Sequence, residues 1–81
     1  MKTRTDKELK DFTRIANAYS FTYAMGKKYG EPTLMDVSLK RFTSLSNLLN
    51  SEGYYVERVG KDYLDNFGIT YSTYEVRESE P

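Results

Sequence analysis

The sequence predicts an α+β fold, two helices followed by a β-hairpin or small antiparallel meander, in one unit of 81 residues. Three observations predict it. Apolar residues recur at spacings of three and four through the first fifty positions, as on one face of a helix. Glycine and proline interrupt the chain at Gly30–Glu31–Pro32, and Gly53 interrupts it again. Beyond Gly53 the composition turns aromatic and β-branched, which favours strands.

The first helix is expected from Thr5 to about Lys28. Thr5 can cap it, with Glu8 as the return partner of a capping box. Leu9, Phe12, Ala16, Tyr19 and Tyr23 form its apolar stripe. Gly26 or Gly30 supplies the stop, since a glycine at a helix end enters the left-handed conformation without a steric penalty. Pro32 suits the entry to a second helix, and Thr33 with Asp36 offers a cap. Met35, Leu39, Phe42, Leu45 and Leu49 make the second stripe, with Leu48 beside it. Lys40, Thr43, Ser44, Asn47 and Asn50 face water, and Gly53 ends the helix.

Tyr54 to Val59 reads as a strand, and Ile69 to Arg77 as another. Between them Gly60 to Gly68 reads as a nine-residue loop, with room for one helical turn at Asp62–Asn66. A competing reading stays open, because Val56, Val59, Tyr63, Leu64 and Phe67 also fit helical spacing. A lone hairpin is marginal in water, so this one must lie on the helices. Residues 1–4 and 78–81 are expected to fray.

Composition narrows the chemistry. The chain has no cysteine and no histidine. Thiol catalysis, disulfides and zinc fingers are thereby excluded, and the commonest general base is missing. The absence of cysteine fits a reducing, cytoplasmic compartment. No apolar run exceeds three residues, so neither a membrane span nor a signal-peptide core is predicted. Net charge is zero, but residues 1–30 carry seven Lys/Arg against three Asp/Glu, and residues 31–81 carry five against nine. A basic half of this kind can face an acidic partner.

Asp62, Asp65 and Asn66 have oxygen ligands suited to Mg²⁺ or Ca²⁺. Their spacing matches no calcium loop, and these residue types are also normal for turns. They are read as turn residues, with no metal and no cofactor. No glycine-framed nucleophile and no phosphate-cradling loop is present, so the chain is not expected to be an enzyme.

The candidate partner surface has two parts. On the back of the first helix lie Lys7, Lys10, Arg14, Phe21, Met25 and Lys28. A solvated helix back is polar throughout, whereas this one carries Phe and Met among cations. The alternative is that the hairpin folds over this end and buries both. The second part is Tyr54 and Tyr55. Strand alternation sends neighbours to opposite faces, so one layer of helices cannot bury both.

The segment Leu45–Ser46–Asn47–Leu48–Leu49–Asn50–Ser51–Glu52–Gly53–Tyr54–Tyr55–Val56–Glu57–Arg58–Val59 resembles the recognition-helix-to-wing passage of winged helix-turn-helix regulators. That resemblance implies a small nucleic-acid-binding transcriptional regulator. Only Lys40 and Arg41 would serve phosphates there, and Glu57 and Asp62 would repel them. The favoured expectation is a non-enzymatic protein-binding module. In composition the chain resembles small accessory proteins of phages and mobile elements. Many of these inhibit or modulate a host enzyme, nucleoprotein or defence complex by occupying its surface. A homo-oligomeric adaptor is the third reading.

Overall fold

A computed structural model describes residues 3–79. Helix α1 spans Asp6–Tyr29 and α2 spans Pro32–Ser51. Strands β1 (Tyr54–Leu64) and β2 (Thr70–Glu78) form a two-stranded antiparallel sheet. The α+β order read from the sequence is therefore the architecture. Among the described residues, no helix is long and apolar enough to cross a membrane.

The caps explain the boundaries of α1. Thr5 Oγ1 accepts from the Glu8 backbone N–H at 3.1 Å, and the Glu8 carboxylate accepts from the Thr5 N–H at 3.1 Å. This satisfies donors that a helix start otherwise leaves unpaired. Asp6 and Glu8 lie in the first turn and Lys27 and Lys28 in the last, in the sense the helix dipole favours. Of the two candidate stops Gly30 is the one used, at φ 66°. Gly26 is buried inside the helix, and the first turn of α2 crosses close above it.

α2 starts at Pro32 without a side-chain cap, so the Thr33–Asp36 cap does not form. Its buried positions are Ser38 and Leu49, and the Phe42 ring meets that of Tyr74 at a tilt of 59° with centroids 4.8 Å apart. Leu39, expected inside, is 54% exposed. The inward line passes through Ser38, one position or about 100° round the helix from Leu39. Thr33 to Ser51 is one unbroken helix. Thr33 to Gly53 therefore does not divide into two helices and a turn.

β1 runs five residues further than expected, through Leu64. Val59 pairs with Thr73 and Tyr63 with Tyr71, so four steps on β1 match two on β2. The extra residues form a bulge at Gly60, which has φ 59°. The loop shrinks to Asp65–Ile69. There the Asp65 carboxylate accepts from the Phe67 and Ile69 N–H groups, both at 2.9 Å. Neither the helical turn at Asp62–Asn66 nor the competing helix over 54–67 is formed.

One feature ties the sheet to α1. Asn17 donates from Nδ2 to the Tyr74 carbonyl at 3.0 Å and accepts the Tyr74 N–H on Oδ1 at 2.7 Å. Thr13 Oγ1 accepts from the Val76 N–H at 3.1 Å, and Ser20 donates to the Ser72 carbonyl at 2.5 Å. The outer edge of β2 is thus closed by helix side chains, one way natural sheets avoid open edges. The core is small, consisting of Ala16, Leu49, Tyr54 and Ile69.

The ends are held rather than loose where they are described. Arg4 donates to Glu52 in a two-pronged pair at 2.7 and 2.8 Å and to Glu8 at 3.2 Å, and its backbone N–H donates to the Tyr54 hydroxyl at 3.1 Å. Glu78 pairs with Tyr54, and the Ser79 N–H reaches the Gly53 carbonyl at 2.9 Å. The remaining positions expected to fray, 1–2 and 80–81, lie outside the described residues.

The Arg4 cluster has a pH consequence. Its hydrogen bonds hold the Glu52 carboxyl below its ordinary range, and the Thr5 backbone N–H followed by Arg4 does so for Glu8. A carboxylate with a lowered folded pKa adds stability above the ordinary glutamate range and loses it as pH falls through the folded value. The melting temperature should therefore drop as pH is taken from 6 towards 3. Arg4→Met should flatten that slope. Equal acid slopes in parent and variant would refute the assignment.

Candidate functional site

The sequence-predicted surface does not stay in one piece. Lys7 and Arg14 are exposed and share one carboxylate, Asp11, at 3.3 and 3.4 Å. Lys10 is exposed beside them. Further along, Lys28 Nζ donates to the Gly68 carbonyl at 2.9 Å, which pins the hairpin loop to α1. Phe21 is half-buried and meets Tyr71 edge-on at 5.3 Å, and Met25 is half-buried too. The hairpin packs against this end of the helix and covers both side chains in part, without burying either. Tyr54 is fully buried and leaves the candidate surface. Its neighbour Tyr55, on the opposite face, is 38% exposed, as strand alternation requires.

The structure opens a different site. α1 carries β2 on one side and α2 on the other. The three elements close on one another around Ala16, Leu49 and Tyr54 and leave a gap beside the later turns of α1. The gap is a groove of about 330 Å³. Tyr19, Tyr23 and Ala24 come from α1, Leu39 and Phe42 from α2, and Tyr71 and Tyr74 from β2. That volume lies at the lower end of the range for ligand pockets. The walls are braced by the tilted Phe42–Tyr74 pair and by the edge-on series Phe21–Tyr71–Tyr63, at 5.3 and 5.5 Å.

Three polar side chains at the groove matter for its chemistry. Asp62 is engaged: it accepts from Arg58 at 2.6 Å and from the Ser72 hydroxyl at 3.2 Å. The Arg58 hydrogen bond above all holds its carboxyl below the ordinary aspartate range. Ser38 is only 3% exposed, and its hydroxyl has no hydrogen-bond partner among the described residues. Lys27 has no carboxylate partner among them either. The groove therefore offers aromatic faces, hydroxyl groups that include that of Ser38, and the Lys27 cation.

The sequence carried part of this site without revealing it. Tyr19, Tyr23, Leu39 and Phe42 all lie on the predicted stripes. The legible signal is a change of residue type along the first stripe, from Leu, Phe and Ala to Tyr. A tyrosine keeps a polar tip in water while its ring covers apolar surface. A stripe that turns to tyrosine marks the end where the core runs out. The whole molecule is correspondingly open. It exposes 5732 Å², where a compact monomer of 9.4 kDa exposes about 5,000 Å².

No protein-family model matches the chain, and no curated protein or solved structure matches it.

Proposed function

We propose that this protein is a non-enzymatic protein-binding module that holds its partner in the groove between α2 and the hairpin. The observation that carries the reading is the groove itself, with four of the chain's eight tyrosines along one gap between secondary-structure elements. Tyrosine supplies large contact area at low entropic cost and is enriched at the centres of interfaces. Exposed aromatic area of this kind is stabilised when a partner covers it. The module acts by occupancy. In an accessory protein of a phage or mobile element, the role its composition resembles, that means blocking or modulating a surface of a host enzyme or defence complex.

The test is a binding isotherm against the partner captured from lysate, with parent, Tyr23→Ala and Leu39→Glu. Both side chains are substantially exposed, so both variants should melt within about 1 kcal/mol of the parent. Each should lose about 2 kcal/mol of affinity, roughly thirtyfold. Parent-like affinity in both variants would place the contact elsewhere, and Tyr55 with the outer face of the hairpin would be examined next.

A further inference from the structure

We infer that the groove selects an acidic partner segment, in which an aromatic side chain enters the groove and flanking carboxylates meet Lys27. The inference rests on the protein-binding reading above and names the chemistry of the partner. Three observations carry it.

The first is electrostatic. Among the described residues, two charged side chains line the groove, Lys27 and Asp62. Asp62 is compensated by Arg58 at 2.6 Å, so the uncompensated charge is that of Lys27. Lys61, next to Asp62 on β1, is exposed and likewise has no ion-pair partner among the described residues. An acidic segment relieves this field and a basic one is repelled by it. Such complementarity chiefly sets specificity and association rate.

The second is Ser38, a nearly buried residue on the groove wall whose hydroxyl makes no hydrogen bond among the described residues. None of the buried side-chain polar atoms among the described residues is unsatisfied, so this hydroxyl is a donor open to the groove, which an occupant's acceptor can take up. A backbone carbonyl or a carboxylate oxygen of the partner supplies one. The third is the nature of the walls. Tyr19, Tyr23, Phe42 and Tyr74 present ring faces and edges to an incoming group. Aromatic pairs gain beyond simple area burial in edge-on or offset arrangements.

The experiment is a nuclear magnetic resonance titration of the full chain with three acetylated, amidated tripeptides: Glu-Phe-Glu, Lys-Phe-Lys and Glu-Ala-Glu. Glu-Phe-Glu should shift the signals of Tyr23, Ser38 and Leu39. It should bind about fivefold tighter than Lys-Phe-Lys at low salt, with the difference shrinking at 0.5 M salt. Glu-Ala-Glu should bind about tenfold more weakly than Glu-Phe-Glu, because the aromatic ring supplies the buried area. Lys27→Glu should reverse the charge preference while melting like the parent, and Ser38→Ala should weaken Glu-Phe-Glu about threefold. Equal binding of Glu-Phe-Glu and Lys-Phe-Lys in the groove would overturn the acidic selectivity and leave the groove as a protein-binding site. If neither phenylalanine peptide moves the groove signals, both readings fall.

Discussion

Asn17→Ala should lower the melting temperature by about 10–20 °C. The Asn17 amide stands where a third strand would be, donating to the Tyr74 carbonyl and accepting its N–H at 3.0 and 2.7 Å. Alanine leaves both backbone groups of Tyr74 without a partner on a part-buried edge. Each costs about 1–3 kcal/mol if water reaches it poorly, so a loss of about 2–3 kcal/mol is expected for the pair. A domain of this length has roughly 4–12 kcal/mol in total, and each kcal/mol moves its melting point by about 4–8 °C. Thr13→Ala and Ser20→Ala each remove a single hydrogen bond and should cost about 1 kcal/mol. Asn17→Asp keeps an acceptor for the Tyr74 N–H but sets a carboxylate against its carbonyl, so it should not rescue. Thermal melts on the four variants decide the matter. A melting point for Asn17→Ala within about 2 °C of the parent would show that the strap is dispensable. The strap also bears on function, because Tyr71 and Tyr74 reach the groove only while β2 stays against α1.

What the sequence disclosed, and what it hid, follows from the range of the interactions. The Thr5–Glu8 box, the left-handed Gly30 and the change of composition at Gly53 are local, and each is visible within a few residues. The contacts of Thr13, Asn17 and Ser20 span 52 to 63 residues. Polar residues beside a helical stripe read as solvated, and nothing nearby shows that a strand edge needs them. Ser38 rather than Leu39 is the buried position for a related reason. Hydrophobicity puts Leu39 inside, but a buried position at Ser38 suits the close approach of the elements around it. The sequence places the end of β1 before Gly60 because Gly60, Lys61 and Asp62 resemble loop residues. On a bulged edge strand the same residues are tolerated, since charges and bulges keep such an edge from pairing with another chain. The groove was hidden because each of its lining stripes, taken alone, looks like ordinary core. Only their divergence in space turns them into a surface.

Gly26→Ala offers a test in which local propensity and tertiary packing predict opposite signs. Glycine in a helix interior is about 1 kcal/mol worse than alanine, so propensity alone predicts that the change stabilises. The packing predicts destabilisation. A Cβ at position 26 would lie 2.9 Å from Met35 Cγ and 3.1 Å from both the Glu31 carbonyl oxygen and the Met35 backbone nitrogen. The methionine side chain can turn away, but the backbone of the first turn of α2 cannot. That turn is held in place by the Glu31 N–H bonded to the Gly26 carbonyl at 2.8 Å. Overpacking of this kind costs roughly 1–3 kcal/mol. After the propensity gain is subtracted, Gly26→Ala should still lose about 1 kcal/mol, and Gly26→Val should lose several times that. Met35→Ala should rescue Gly26→Ala only in part, because it clears the 2.9 Å contact and leaves both backbone contacts at 3.1 Å. Displacing the start of α2 also moves Ser38 and Leu39, so partner affinity should fall further than stability alone accounts for. A melting point for Gly26→Ala above that of the parent would mean that the two helices do not cross as closely as the structure has them.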